Sequence, residues 1–170
     1  MRFPQYFLLC GIFFLTQCLQ AQDASKPSPP FPEYRTFSEA LLLSELRQTL
    51  ENGGAFTVFA PSDNAFRKLD ERLNLQHPGN RKQLKTLLSY HIVAGELTAS
   101  RILKALCRGE GAAVFTTVQG EQLIATLEGV DIVLMDCSGN TSRIVQADTY
   151  SQNLVMHEID RVILPGTPIP

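Results

Sequence analysis

Residues 87–97 read LLSYHIVAGEL, and the chain changes its local pattern twice within this stretch. The spacing of apolar residues from Arg81 onward predicts an amphipathic helix that runs into the pair Tyr90 and His91. Two apolar residues follow the pair, and the sequence AGE at 94–96 is typical of a turn. Two polar rings at a helix end, among apolar neighbours, are either reactive groups or a hydrogen-bonded structural pair.

Helical patterns also precede this stretch. The sequence TFSE at 36–39 resembles a capping box, and the apolar spacing after it predicts one helix that ends at Gly53 and Gly54. The run FTVF at 56–59 predicts a short strand, because aromatic and β-branched residues favour strands. Ser62 is the predicted N-cap of the next helix.

The second half of the chain changes to the period of two that is typical of strands. A further helix is predicted to open at Thr98 or Ser100 and to end near Leu106. Strands are predicted at Val114–Val118, Gln122–Leu127, Ile132–Met135, Arg143–Ala147 and Val155–Ile163. Turns with glycine separate most of these runs. Helices first and a meander of strands afterwards predict an α+β fold.

The composition is that of one globular domain. The chain has 170 residues, 44% of them apolar, a formal net charge of −2 and a pI of about 5.9. A chain of this length can bury a sizeable core. No basic stripe is visible, so we predict no nucleic-acid partner, and we also predict no cofactor.

The first residues have the features of a secretory signal peptide. Arg2 precedes an apolar run from Tyr6 to Leu15, which is too short to span a bilayer comfortably. A polar segment then ends at Ala21, where cleavage is predicted. The alternatives are an uncleaved membrane anchor and lipid attachment at Cys18. Cleavage would leave a chain with no stable membrane span.

The segment after the signal peptide, QDASKPSPPFPEY, contains four prolines and is predicted to be an extended tether. The predicted organisation is therefore a signal peptide (1–21), a proline-rich tether (22–34), one folded domain (35–166) and a C-terminal tail (167–170). Cleavage leaves two cysteines, Cys107 and Cys137. An even pair in an oxidising compartment favours a disulfide, with free buried thiols as the alternative.

Three blocks of the chain match the signature blocks of one protein family in order and in spacing. They are TVFAPSDNAF (57–66), LLSYHIVAGEL (87–97) and NLVMHEIDRVILP (153–165). Together they resemble the fasciclin domain, from about Thr36 to Pro165. The resemblance implies a wedge-shaped β-sandwich with a helical layer on one side. It also implies a secreted or surface-held protein that acts in adhesion and matrix interaction.

The closing block departs from the family in one place and makes a specific prediction about burial. Asn153 and Leu154 stand where the family usually has Asn-Gly, so either the turn before the last strand differs locally or Leu154 enters the strand one residue early. In the family this strand is central and covered on both faces. We therefore predict that His157 and Asp160 are buried and hydrogen-bonded, while Glu158 lies at a more open position.

The pair Tyr90 and His91 permits three interpretations. His91 as a general base would need a nucleophile, and the chain has no G-x-S-x-G elbow. A metal site would need more ligands, but His77, His91 and His157 form no pair at metal-binding spacing. We favour a structural role, in which His91 bonds a backbone carbonyl or a carboxylate. The candidate carboxylates are Asp63, Asp148 and Asp160.

The predicted protein is thus a secreted, periplasmic or cell-surface module, of a small bacterial type. It would bind an extracellular glycan, a matrix polymer or a protein, and it would be non-catalytic. The alternatives are an extracellular enzyme that uses His91 and an envelope protein anchored by a lipid on Cys18. The residues assigned to the structural motif or to partner contact are Tyr90, His91, Asp63, His157 and Asp160.

Overall fold

The computed structural model describes residues 34–73, 77–151 and 153–166. The predicted signal peptide, Cys18, the tether before Tyr34 and the C-terminal tail lie outside these ranges. The described helices are α1 (Arg35–Leu43), α2 (Leu46–Asn52), α3 (Asp63–Leu73), α4 (Arg81–Tyr90) and α5 (Ala99–Arg108), with a short 3₁₀-helix at Pro78–Asn80. The described strands are β1 (Phe56–Pro61), β2 (Ile92–Ala94), β3 (Ala112–Thr116), β4 (Gln122–Glu128), β5 (Asp131–Met135), β6 (Thr141–Ser151) and β7 (Leu154–Ile159). The predicted α+β class is confirmed.

The seven described strands form one strongly curved sheet in the order β2-β1-β7-β6-β5-β4-β3. Strands β1 and β7 run parallel, and every other neighbouring pair is antiparallel. The two ends of the sheet approach each other through a bridge between Val93 and Thr117. Val118 N–H also donates to Ile92 O at 2.7 Å. The sheet is therefore nearly closed into a barrel, which leaves little free strand edge on this side.

Two apolar cores lie on opposite faces of the central strands. Residues of β1 alternate between them, since successive side chains of a strand point to opposite faces. Val58 packs with α1–α4 in the first core, and Phe59 packs inside the curved sheet with α5. In β7, Met156 belongs to the first core and Ile159 to the second. The prediction that the closing strand is covered on both faces is confirmed.

The predicted helix caps at Ser62 and Thr98 are confirmed, and the capping box predicted at 36–39 is wrong. Ser62 Oγ accepts from Ala65 N–H at 3.2 Å, and Thr98 Oγ1 accepts from Arg101 N–H at 3.2 Å. No side chain of the predicted capping box caps α1. The carboxylate of Asp63, on α3, caps this helix instead.

The single helix predicted after residue 36 is two helices in the structure. Helix α1 ends at Leu43, and Glu45 has a left-handed backbone with φ of 62°. Ser44 is buried at the break, where its Oγ donates to Leu41 O at 2.9 Å. The break turns α2 so that Leu46 and Leu50 also reach the first core.

The predicted disulfide is absent, because both cysteines are free thiols. Cys107 lies on the exposed face of α5, whose other face buries Ile102 and Leu106. Cys137 follows β5, and its Sγ lies 3.4 Å from Tyr90 Oη. Both thiols are exposed, so the alternative of free buried thiols is wrong as well.

Candidate functional site

Helix α4 delivers the Tyr90-His91 pair into the space between the two cores. Its apolar residues, among them Leu84, Leu87 and Leu88, are buried and set the orientation of the helix. Tyr90 is its last residue and His91 is its C-cap, and both are fully buried. Sequence reasoning placed this junction correctly.

His91 is held as a neutral imidazole by the backbone on both sides. Its Nδ1–H donates to Leu87 O at 2.9 Å, and its Nε2 accepts from Ile163 N–H at 3.3 Å. Burial lowers the pKa of His91 to about 4, against a smaller upward effect of the Leu87 hydrogen bond. The ring also lies against Phe37, with 5.9 Å between centroids. Of the partners considered, a backbone carbonyl is the observed one, and Asp63, Asp148 and Asp160 bond elsewhere.

Tyr90 links the end of α4 to two strands. Its hydroxyl donates to Gln122 O at 2.8 Å and accepts from Cys137 N–H at 3.2 Å. Burial, followed by the contact with Cys137, raises the pKa of Tyr90 well above its usual range. A hydroxyl with these partners stays protonated and acts as a tie between α4, β4 and the end of β5.

His157 makes a second tie of the same kind on the central strand β7. It is buried and stacks on Phe59, with 5.5 Å between ring centroids. Its Nε2–H donates to Leu97 O at 2.6 Å, and its Nδ1 accepts from Asp148 N–H at 3.2 Å. Burial is the main cause that lowers the pKa of His157. The prediction of a buried, hydrogen-bonded His157 is confirmed.

Asp148 and Asp63 each serve the start of a helix from a distant element. Asp148 sits in an irregular part of β6 with φ of 59°, and its Oδ1 accepts from Ala99 N–H at 2.9 Å. Asp63 Oδ1 accepts from Thr36 N–H at 2.9 Å. Carboxylates are favourable at helix N-termini, where backbone N–H groups lack partners. Both residues are therefore caps rather than partners of His91.

The prediction that Asp160 is buried is wrong, although it is hydrogen-bonded. Strand β7 ends at Ile159, so Asp160 falls in the bend beyond the covered part of the sheet and is exposed. Its Oδ1 accepts from Arg143 N–H at 2.8 Å and lies 3.1 Å from Ser142 Oγ. Glu158, still within the strand, is half-buried, so the predicted order of exposure is reversed.

The geometry of these residues leaves no catalytic arrangement around His91. Both ring nitrogens are engaged by the backbone, so the ring has no free nitrogen to offer a substrate. No group of three or more His, Cys, Asp or Glu residues that could hold a metal is found among the described residues. The motif residues Tyr90, His91 and His157 act as internal ties between elements.

A surface groove of about 450 Å³ lies between α3, the turn before β6 and the segment after β7. Sequence reasoning missed it, because its walls come from three separate parts of the chain. The lining side chains are Ser62, Asn64, Ala65, Lys68, Leu69, Asn140, Thr141, Asp160, Arg161, Val162 and Leu164. Of the five residues assigned to the structural motif or to partner contact, only Asp160 lines it.

Replacing Tyr90 by phenylalanine tests the tie made by the hydroxyl. The change leaves Cys137 N–H and Gln122 O without this partner, so we expect the free energy of unfolding to fall by about 1–2 kcal/mol. The exposed Tyr150 provides a matched control, and Tyr150→Phe should change it by less than about 0.5 kcal/mol. Urea unfolding of both variants measures the difference. Equal values for the two variants would contradict this role of Tyr90.

Comparison with known proteins gives one consistent result. The family model described as the fasciclin domain matches residues 32–165. Protein sll1483 of Synechocystis is 32% identical over 134 residues, which cover 78% of this chain and 67% of the relative. The cell surface glycolipoprotein MPB83 of Mycobacterium bovis is 30% identical over 118 residues, covering 67% of this chain and 46% of that protein.

A solved structure has the same fold. It is a FAS1 domain pair from the insect cell adhesion molecule Fasciclin I, with a TM-score of 0.61 and 23% sequence identity. The match covers 77% of this chain and 45% of the solved chain. Within the part of the chain that the structure describes, no helix is both long and apolar enough to cross a membrane.

Proposed function

The chain belongs to the fasciclin domain family, and on this basis we propose that it is a non-catalytic binding module that works outside the cell. Its role is adhesion to, or interaction with, an extracellular glycan, a matrix polymer or a protein. The relatives support this class of function, since MPB83 is named a cell surface glycolipoprotein and the solved pair comes from a cell adhesion molecule.

One observation carries the proposal. Tyr90, His91 and His157 are buried, and their side chains form hydrogen bonds with the protein backbone. An enzymatic mechanism that uses His91 would need these polar groups to be free for a substrate. They stabilise the junctions among α4, β4, α5 and β7. Binding is then left to surface side chains displayed by a rigid scaffold, which is how interaction modules commonly work.

The proposed location follows from the N-terminal sequence. A signal peptide at residues 1–21 would send the protein out of the cytoplasm, and the tether at 22–34 would hold the domain away from what it is attached to. Lipid attachment at Cys18 is the alternative for a surface-held form. The mass of the protein recovered from its native membrane or medium distinguishes a chain that begins at Gln22 from one that is lipidated.

The binding function is tested with residues 22–170 immobilised on a surface. We expect the folded domain to retain at least one component of a panel of extracellular polysaccharides and matrix proteins, while the heat-unfolded domain retains none. The same protein is assayed against ester, glycoside and peptide substrates. Turnover that disappears in a folded His91→Gln variant, together with no retention, would replace this function with an enzymatic one.

A further inference from the structure

The surface groove beside α3 carries two cationic side chains that form no ion pair with any residue that the structure describes. Lys68 projects from α3 and Arg161 from the segment after β7, and both are exposed. Neither forms an ion pair within the part of the chain that the structure describes. The four ion pairs among the described residues are made by Arg47, Arg101 and Arg143 instead. The groove thus presents positive charge in a chain whose net charge is −2.

The walls of the groove are held in place by a buried carboxylate. Asp136, which is 3% exposed, accepts from Asn140 N–H at 2.9 Å and from Leu164 N–H at 3.0 Å. It also accepts from Asn140 Nδ2 at 3.0 Å, so the amide oxygen of Asn140 is the group left to a ligand. One carboxylate thereby fixes the turn before β6 to the segment after β7, and lining groups fixed in this way favour specific binding.

The segment after β7, which carries Arg161, is also held by hydrogen bonds. Ser142 Oγ accepts from Arg161 N–H at 3.1 Å and lies 2.9 Å from Arg161 O. The neighbouring Asp160 is bonded through Oδ1 to the backbone of β6, while its Oδ2 has no hydrogen-bond partner in the described ranges. A carboxylate oxygen that can accept a hydrogen bond therefore also lines the groove.

The lining chemistry combines three kinds of surface. Lys68 and Arg161 match a carboxylate, since charge-assisted hydrogen bonds are the strong ones. Asp160 and Asn140 offer acceptors, which match hydroxyl donors. Leu69, Val162 and Leu164 supply an apolar strip, and the volume of about 450 Å³ falls among ordinary small-ligand sites.

We infer that this groove binds an acidic saccharide through the carboxylate and hydroxyl groups of a uronic acid residue. A sugar acid carries a carboxylate, several hydroxyls and an apolar C–H face on one ring, which are the three features that the groove complements. An acidic peptide supplies the carboxylate but no ring hydroxyls for the acceptors of Asp160 and Asn140. The inference rests on the proposed binding function and specifies its ligand.

The test uses residues 22–170 and three soluble probes in calorimetric and NMR titrations. Trigalacturonic acid should bind, with chemical-shift changes concentrated in the groove, and its affinity should fall as salt is raised. Galactotriose lacks the carboxylates and triglutamate lacks the sugar hydroxyls, so each should bind at least about tenfold more weakly, the loss expected from one charge-assisted contact. Equal binding of triglutamate, or no binding of trigalacturonic acid at millimolar concentration, would overturn the inference.

Two variants with the same change in charge locate the site. Lys68→Ala combined with Arg161→Ala should weaken trigalacturonic acid binding at least about a hundredfold, about tenfold for each contact. Lys104→Ala combined with Arg108→Ala, on α5 outside the groove lining, should leave the affinity within about twofold, since only long-range charge is altered. Both pairs of residues are exposed, so the melting temperatures should stay close to that of the parent. Equal losses in both variants would exclude the groove.

The same variants separate this inference from the proposed function. If the groove variant loses the saccharide but the immobilised domain still retains its matrix component, a different surface makes the adhesive contact. If the parent binds no saccharide and yet retains a matrix component, this inference fails alone. If the parent retains nothing in either assay, the proposed function fails with it.

Discussion

Replacing His91 by alanine is expected to lower the free energy of unfolding by about 3 kcal/mol. The substitution opens a cavity at a fully buried position between the two cores. It also leaves Ile163 N–H without its acceptor and Leu87 O without its donor, at about 1–3 kcal/mol for each buried orphan group. A domain whose total stability is about 5–15 kcal/mol would lose a large share of it.

His77 provides the control for this prediction, because it is an exposed histidine on the same chain. The only described hydrogen bond of its side chain is from Gly79 N–H to Nδ1 at 3.2 Å, at the start of the 3₁₀-helix. His77→Ala should change the stability by less than about 0.5 kcal/mol. Urea unfolding monitored by circular dichroism measures both variants. A His91→Ala midpoint equal to that of His77→Ala would show that the junction does not depend on the imidazole.

Lowering the pH from 7.5 to 5 is expected to destabilise the native protein by about 2 kcal/mol through His91 alone. Its pKa is about 4 in the fold, against about 6.5 in the unfolded chain. Between these two values the unfolded chain binds more protons, so stability falls as the pH falls. The contribution of neutral His91 to the free energy of unfolding is fully present above about pH 6.5. It is lost progressively as the pH falls toward 4. Burial lowers the pKa of His157 too, so it acts in the same direction.

The measurement is urea unfolding at both pH values, for the parent and for His91→Gln. Glutamine cannot take up a proton in this range, so the variant should keep only the pH dependence that His157 and other groups supply. The difference in stability between the two pH values should therefore shrink by about 2 kcal/mol. An identical pH dependence in parent and variant would show that His91 is charged or solvated in the fold.

Much of the fold could be predicted because its signals are local. The helical spacing before Tyr90, the caps at Ser62 and Thr98 and the period of two after residue 113 each depend on neighbours in sequence. The helix and strand ends predicted from these signals lie within a few residues of the observed ends. The capping box at 36–39 failed, because Asp63 caps the same helix from 27 positions away and no local pattern reveals it.

The site was predictable in kind but not in detail. A His and a Tyr among apolar residues must bond something, so burial with internal partners followed from the sequence. Leu87 is a local partner of His91. The other partners are Ile163, Gln122 and Cys137, which lie far along the chain. The groove was not predictable, because none of its three segments carries a signal of its own.

The amino-acid sequence by itself determined most of the order of elements, the α+β class and the family, since these follow from periodicity, turn residues and three signature blocks. Only the tertiary structure decided that Cys107 and Cys137 are not bridged and that Asp160 is exposed. It alone also decided that Lys68 and Arg161 share a groove. The physical reason is that hydrogen-bond partners and burial depend on where each strand ends and how the sheet curves. Those features are set by packing between residues that are distant in sequence.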